Sequence, residues 1–372
     1  MTTTHKARIL AAARKRAVDK LPFGARIDVW YNYHSGHNTL PKKYEDWNMV
    51  DILRDQSAGA QVRHLCIWKI EYDDLEVVIK EDPPYKTTKW RTPVGNVSMK
   101  TVFTPQEGPW IVYEVDHPFK SSKDYPVIEY ILEHTRIVPD LSEYYQKEKM
   151  VGEDGMVMTG MGMYSPMQQI MRYWLGYEKF FYELHDNPAQ VEWLYELEKE
   201  LAKKKLEILA ESPVEMPVLC SNWSDEFHTP VFAKYFTPWL KEASDYLHSK
   251  GKLTQVHADG EMKRLIPFFL GTGVDVAEAW SPAPMTSVTT AELRKAWGDK
   301  VTIWGGIPAI MFEPQYSDEE FDAYILNLFK EVTPGYNFIV GMGDNLPFDG
   351  KIERVGRVAE LIDKYGSIPM PV

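Results

Sequence analysis

From residue 156 to the end of the chain, short apolar runs alternate with amphipathic stretches in a regular beat. MVMTGMG, MPVLCSN, KLTQVHA, VDVAEAW, VTIWGGI and YNFIVGMG read as strands, each ending in a polar or glycine-rich turn. PAQVEWLYELEKELAKKKLEILAE, PVFAKYFTPWLKEASDYLHSKG, DEEFDAYILNLFKEV and KIERVGRVAELIDKYG place their apolar residues at helical spacing. Each unit is about thirty to fifty residues long, the size of one strand and its crossover helix. Parallel strands joined by helices close most naturally as an α/β barrel of the TIM (β/α)8 type, with a doubly wound sheet as the alternative. The absence of any linker or low-complexity stretch predicts a single domain over residues 1–372.

The earlier residues are less regular. HKARILAAARKRAVDK reads as an amphipathic surface helix, an N-terminal extension of the barrel. RIDVW (26–30) is a β-branched and aromatic run, predicted as the first barrel strand with YNYHSGHN as its loop. Between 62 and 115, HLCIWKIEY and WIVYEV are separated by turn signals such as Glu81-Asp82-Pro83-Pro84, which predicts a small antiparallel insertion.

Composition narrows the function. A chain that is 44% hydrophobic and 26% charged folds rather than stays disordered. A net charge of -12 gives nucleic acid and anionic membranes no electrostatic attraction, and no apolar run suits a membrane span or signal peptide. Cys66 and Cys220 are the two cysteines, far apart, so a disulfide framework and a thiolate zinc knuckle are excluded and a reducing cytoplasm is expected. With 12 Trp and 21 Tyr the chain is rich in side chains that line pockets for flat organic molecules.

In such a barrel the C-terminal strand ends and the loops after them form the active face. Polar residues there are Asn32, His34 and His37, NWSDEFH (222–228), His257 and Asp259, Glu278 and Trp280, the 304–308 turn, and Asp344 with Asn345. His257 and Asp259 are the sharpest pair, because residues i and i+2 of a strand point the same way. They suit metal ligation or proton transfer; the alternative is a core histidine beside a helix-capping Asp259. In NWSDEFH, Asn222, Asp225, Glu226 and His228 are candidates for binding or catalysis, although Asp225 or Thr229 could simply start the helix near Pro230. Glu278 ends an otherwise apolar run, where it must be a ligand or an ion-pair partner. Trp280, Trp304 and Tyr164 are candidate pocket walls, with His34 beside them.

The residues resemble the uroporphyrinogen decarboxylase superfamily, in its corrinoid-dependent methyltransferase branch. The likeness runs through RILAAARKRAVDKLPF, KWRTPVGNV, YSPMQQIMRYWLGYEKFFYELHDNPAQV, HADGEMKRLIPFFLGTGVDVAEAW, WGGIP and GMGDNLP. True decarboxylases of the superfamily carry an arginine-rich N-terminal segment; here the stretch reads IDVWYNYHSGHN, so porphyrinogen decarboxylation is not expected. Relatives that methylate a thiol use zinc on a His-x-Cys pair and a distant Cys, where this chain has His257, Asp259 and Met342. The resemblance therefore implies oxygen rather than thiol chemistry: the methyltransferase component of an O-demethylase, moving a methyl group from an aryl methyl ether to the Co(I) of a corrinoid protein. His257, Asp259, Glu226 and Glu278 would supply acid or Lewis-acid help to the ether oxygen, and any zinc would sit on His257 and Asp259. Other readings are a decarboxylase of a small acid or a non-catalytic binding barrel.

Some ether-cleaving relatives have a zinc pattern that this chain matches at Glu192, Glu207 and His228. Both glutamates fall in one predicted helix, where they would lie roughly 22 Å apart. One ion cannot span them.

Overall fold

The computed structural model describes residues 3–64, 66–103 and 112–370. Part of the predicted insertion, including Leu65, Trp110 and Ile111, lies outside the described residues. The chain divides into two compact units: Met1–Leu65, Ser142–Met163 and Val214–Val372 form one, and Cys66–Leu141 with Tyr164–Pro213 the other.

The first unit is the barrel. Its strands are β1 (Gly24–Ala25), β2 (Gly59–Arg63), β3 (Gly155–Met158), β4 (Val218–Ser221), β5 (Gln255–His257), β6 (Val276–Trp280), β7 (Thr302–Pro308) and β8 (Phe338–Gly343). Neighbours from β1 to β3 and from β4 to β8 pair in parallel. Bridges Gly160↔Val218 and Phe23↔Val340 close the two seams, so eight parallel strands form one ring. The six strands expected after residue 156 are all present. The helices that cover them carry local start signals: Ser317 and Glu320 form a capping box for Asp318–Val332, whose Phe321, Ile325, Leu328, Phe329 and Val332 are buried.

Three expectations about the N-terminal region are corrected. The first strand is Gly24–Ala25, and RIDVW mostly enters a helix, Asp28–His37. That helix lacks a local cap; its Val29 amide donates to Asn345 Oδ1 at 3.2 Å, a partner 316 residues away that local pattern cannot supply. β2 falls before the insertion, where the sequence reading had no barrel strand. The opening helix, His5–Ala13, is a plug and not a surface helix: Ile9, Leu10, Ala12 and Ala13 are buried with Met156, Met158, Val276, Trp304 and Ile339. Met156, Val276, Trp304 and Ile339 lie in the first half of their strands, so the helix closes the N-terminal end of the ring and leaves the other end as the mouth.

Trp304 belongs to this plugged interior rather than to a pocket wall. It is 1% exposed, and its ring packs so closely on β1 that a Cβ at Gly24 would come within 2.4 Å of Cζ2. Only glycine fits beneath it.

The second unit holds an antiparallel sheet of Glu76–Asp82, Tyr85–Thr92, Gly95–Phe103 and Val112–Asp116, paired in that order. A two-stranded ribbon, Trp68–Tyr72 with Thr135–Pro139, accompanies it. The long helix Pro188–Glu211, read above as part of a barrel repeat, falls in this unit and runs unbroken through Glu192 and Glu207. That continuity keeps the two glutamates from sharing an ion.

Candidate functional site at the barrel mouth

β5 ends at His257 and β6 carries Glu278, and their parallel register sets the two side by side. His257 Nδ1 lies 2.8 Å from Glu278 Oε2. On β2, Gln61 and Arg63 share a face because alternate residues of a strand do. Gln61 Nε2 donates to Glu278 Oε1 at 2.6 Å, and Arg63 Nη2 donates to both oxygens at 3.0 and 2.8 Å. Glu278 is thus a fully buried carboxylate between a guanidinium and an imidazole, which offset its loss of hydration.

The other imidazole nitrogen faces two more carboxylates. His257 Nε2 lies 3.2 Å from Asp344 Oδ1 and 3.5 Å from Asp259 Oδ2. Asp344 follows β8 with φ of 74°, a left-handed conformation that aspartate tolerates better than most residues. Arg26, just past β1, donates through Nη1 to Asp344 at 2.5 Å and through Nε and Nη2 to Asp28 at 2.7 and 3.1 Å. Asn345 Nδ2 completes Asp28 at 3.0 Å. Each imidazole nitrogen therefore meets a carboxylate that an arginine holds from behind.

Burial alone would lower the His257 pKa. The charge of Glu278, then that of Asp259, outweighs burial and the repulsion of Arg63, so the ring titrates well above the ordinary histidine value. Burial likewise works against Glu278, yet the charges of Arg63 and His257 hold its carboxyl at about 2. Asp344 is lowered in the same way, by Arg26 and His257 against burial. These charges favour the ring with a proton on each nitrogen. Nδ1–H donates to Glu278, Nε2–H faces Asp344, and Arg63 Nη2, 2.7 Å from Nδ1, is a second donor drawn to the same carboxylate. A buried imidazolium at a barrel mouth is a ready proton donor.

The same nitrogen can instead take an ion. His257 Nε2 and one carboxylate oxygen each of Asp259 and Asp344 lie within 4.8 Å of one another. Imidazole with two carboxylates is a donor set that suits zinc and other divalent cations, and a carboxylate on Nδ1 is the usual outer partner of a metal-bound histidine. The residues fit a divalent cation, with Asp344 joining the predicted pair.

Other predicted residues have different surroundings. Asp225 accepts from the Arg264 amide at 3.0 and 2.9 Å and donates its own amide to Glu261 O at 2.7 Å, while Glu261 Oε2 accepts from the Ser287 amide at 2.7 Å. It therefore staples the loops after β4, β5 and β6 into one rim. Glu226 is exposed on helix Asp225–Val231, and Asn222 is half-buried just after β4 with φ of 58°. Trp280 is fully buried at the end of β6. His34 is helical rather than in a loop, with its nitrogens on Thr39 Oγ1 and Phe348 O at 2.7 and 2.8 Å. Tyr164 lies in the second unit, where its hydroxyl donates to Glu114 at 3.0 Å. His228 is buried in the first unit against Ser224 and the Phe236 ring.

Sequence reasoning missed Arg26, Asp28, Gln61 and Arg63. The signal for Arg63 was a charged residue closing the buried run from Gly59, two positions after a glutamine.

An eight-stranded parallel barrel with a titratable cluster at the C-terminal strand ends has the layout of a TIM-barrel active face. The chain belongs to the uroporphyrinogen decarboxylase family, whose model matches residues 94–365. The match takes in the segments around His257, Glu278 and Asp344. In fold, the chain is similar to a solved structure of a methyltransferase from Methanosarcina mazei, with a TM-score of 0.63, 12% identity, and coverage of 98% of this chain and 99% of that one. No curated protein matches the chain. Among the described residues, no helix is long and apolar enough to cross a membrane.

Proposed function

We propose that the protein is the methyltransferase component of an O-demethylase, moving a methyl group from an aryl methyl ether to the Co(I) of a corrinoid held by a separate protein. The observation that carries this reading is His257 at the barrel mouth, held between the carboxylates of Glu278 and Asp344 among oxygen and nitrogen groups. Cys220 is buried, with burial pushing its thiol well above the usual value, and Cys66 belongs to the second unit. Oxygen chemistry fits this donor set better than thiol activation. The likeness in fold to a methyltransferase along the whole chain supports the same reading.

Cleaving the ether breaks the bond between the methyl carbon and oxygen and leaves a phenolate. His257 Nε2–H protonates that oxygen as its charge develops, while Asp344 and Glu278 hold the ring in position. A divalent ion, when held by His257, Asp259 and Asp344, would supply Lewis acidity to the same oxygen.

The test incubates the protein with a reduced corrinoid protein and a panel of methoxyarenes, following loss of the Co(I) absorption and release of the phenol. Transfer from at least one ether is expected, and His257→Ala abolishes it while the circular dichroism is unchanged. No transfer across the panel, or full activity in His257→Ala, refutes the reading.

A further inference from the structure

Arg26 Nη1 and His257 Nε2 meet the same oxygen of Asp344, Oδ1, at 2.5 and 3.2 Å. A guanidinium with a free edge beside a carboxylate normally grips both oxygens through two parallel bonds. Arg26 has no free edge. Its Nε and Nη2 already hold Asp28 in that paired form, at 2.7 and 3.1 Å, which leaves Nη1 alone for Asp344. The turn after β8 is tied from the same side. Asn345 donates Nδ2 to Asp28 Oδ1 at 3.0 Å and accepts the Val29 amide at 3.2 Å, while the Leu346 amide donates to Arg26 O at 2.9 Å. Asp344, with φ of 74°, keeps a backbone conformation that a residue other than glycine holds only where its surroundings enforce it. Among the described residues, no hydrogen bond or ion pair joins Asp28 to His257, so any influence of Asp28 on the ring passes through Arg26 and Asn345.

We infer that Asp28 is a positioning residue of the site: by occupying one edge of Arg26 and the amide of Asn345, it keeps Asp344 turned to His257. The inference rests on the reading of His257 as the group that serves the ether oxygen. Asp28 opens the helix Asp28–His37, where free backbone amides and the helix dipole favour a carboxylate. The Arg26 side chain is 16% exposed, so water meets few of its donors and they turn to whichever carboxylate is at hand. Without Asp28, the freed Nε and Nη2 edge pairs with both oxygens of Asp344. That pairing draws Oδ1 away from His257 Nε2 and from any ion the two would share.

Two readouts test this without turnover. Full-length protein with 15N-labelled histidine is dialysed against chelator, and the His257 ring resonances are identified by their loss in His257→Gln. Zinc affinity is then measured by competition with a chromophoric chelator. Asp28→Ala shifts the His257 Nε2 resonance and weakens zinc about tenfold or more, the loss typical of removing an outer partner of a metal ligand. Adding Arg26→Lys to Asp28→Ala returns the resonance toward its wild-type position and recovers most of the affinity, because an ammonium cannot grip two oxygens side by side. The two variants carry the same charge, so a simple loss of charge predicts no recovery, and damage to the fold would deepen with the second change. Asp28→Asn keeps an acceptor for Asn345 but loses the charged pair with Arg26, and it reproduces the shift even where Asp28→Ala does not fold.

A His257 resonance unchanged in Asp28→Asn, or a loss that Arg26→Lys deepens, overturns the inference. The resonance decides the matter whether or not the wild type takes up zinc. These shifts in a protein that transfers no methyl group would count against the reaction and leave the positioning role standing. Methyl transfer by the wild type, with kcat and the resonance both untouched in Asp28→Asn, would do the reverse.

Discussion

Replacing Glu278 by glutamine keeps the shape of the side chain and removes the one charge that Arg63 and His257 share. A carboxyl held at about 2 in the folded protein, against 4.5 ordinarily, contributes roughly 3 kcal/mol to stability, at about 1.4 kcal/mol for each pH unit of the difference. Breaking a buried ion pair by removing one partner costs about 3–5 kcal/mol, in agreement. The sign follows from the depressed pKa: the contribution is fully present above pH 4.5 and is lost as pH falls through 2. Urea unfolding followed by tryptophan fluorescence therefore gives Glu278→Gln a clearly lower midpoint than the wild type at pH 7. The difference shrinks as both are titrated toward pH 2. A variant as stable as the wild type at pH 7, or a difference that stays constant down to pH 2.5, would refute the ion-pair account of this cluster.

Two further outcomes follow from the geometry. Asp344→Asn lowers zinc affinity by about tenfold or more, measured by competition with a chromophoric chelator, whereas Glu192→Ala leaves it unchanged; loss of zinc in Glu192→Ala would overturn the argument from the unbroken helix. Trp304→Ala costs about 3–5 kcal/mol in urea unfolding, because the space over Gly24 cannot close, yet folded protein takes methyl from a methoxyarene as the wild type does. A stable variant with slowed transfer would put Trp304 in the pocket after all.

The barrel was legible because strand and helix periods are local properties. The strands from β3 onward, and helix Asp318–Val332 to the residue, follow from apolar spacing and turn chemistry alone. The start of the chain was not legible, and for one reason: its elements are fixed from a distance. Val29 is capped by Asn345, and the first helix is buried by residues from β3, β6, β7 and β8. A short strand such as Gly24–Ala25 carries too few positions to show a period. The site divides along the same line. His257, Asp259 and Glu278 could be chosen because polar groups interrupt or end apolar runs, and Asp344 because it follows a strand. Arg26 and Arg63 look ordinary until the ring closes and brings them behind the carboxylates. Asp225 shows the opposite error, since a carboxylate in a polar loop looks chemical when its oxygens in fact serve backbone amides of the next loop.

The bond between Arg26 and Asp344 joins residues 318 positions apart, one just past the first strand of the ring and one just past the last. A contact of such sequence separation forms late, after shorter loops have closed. The reactive cluster is thus also a report on the completeness of the ring, because His257 gains the Asp344 carboxylate only when β8 has docked on β1. A partly folded chain could display β5 and β6 with His257 beside Glu278 and still lack that half of the proton's setting. Ligand binding recovered during refolding should therefore lag the return of helical signal and coincide with the final closure of the barrel.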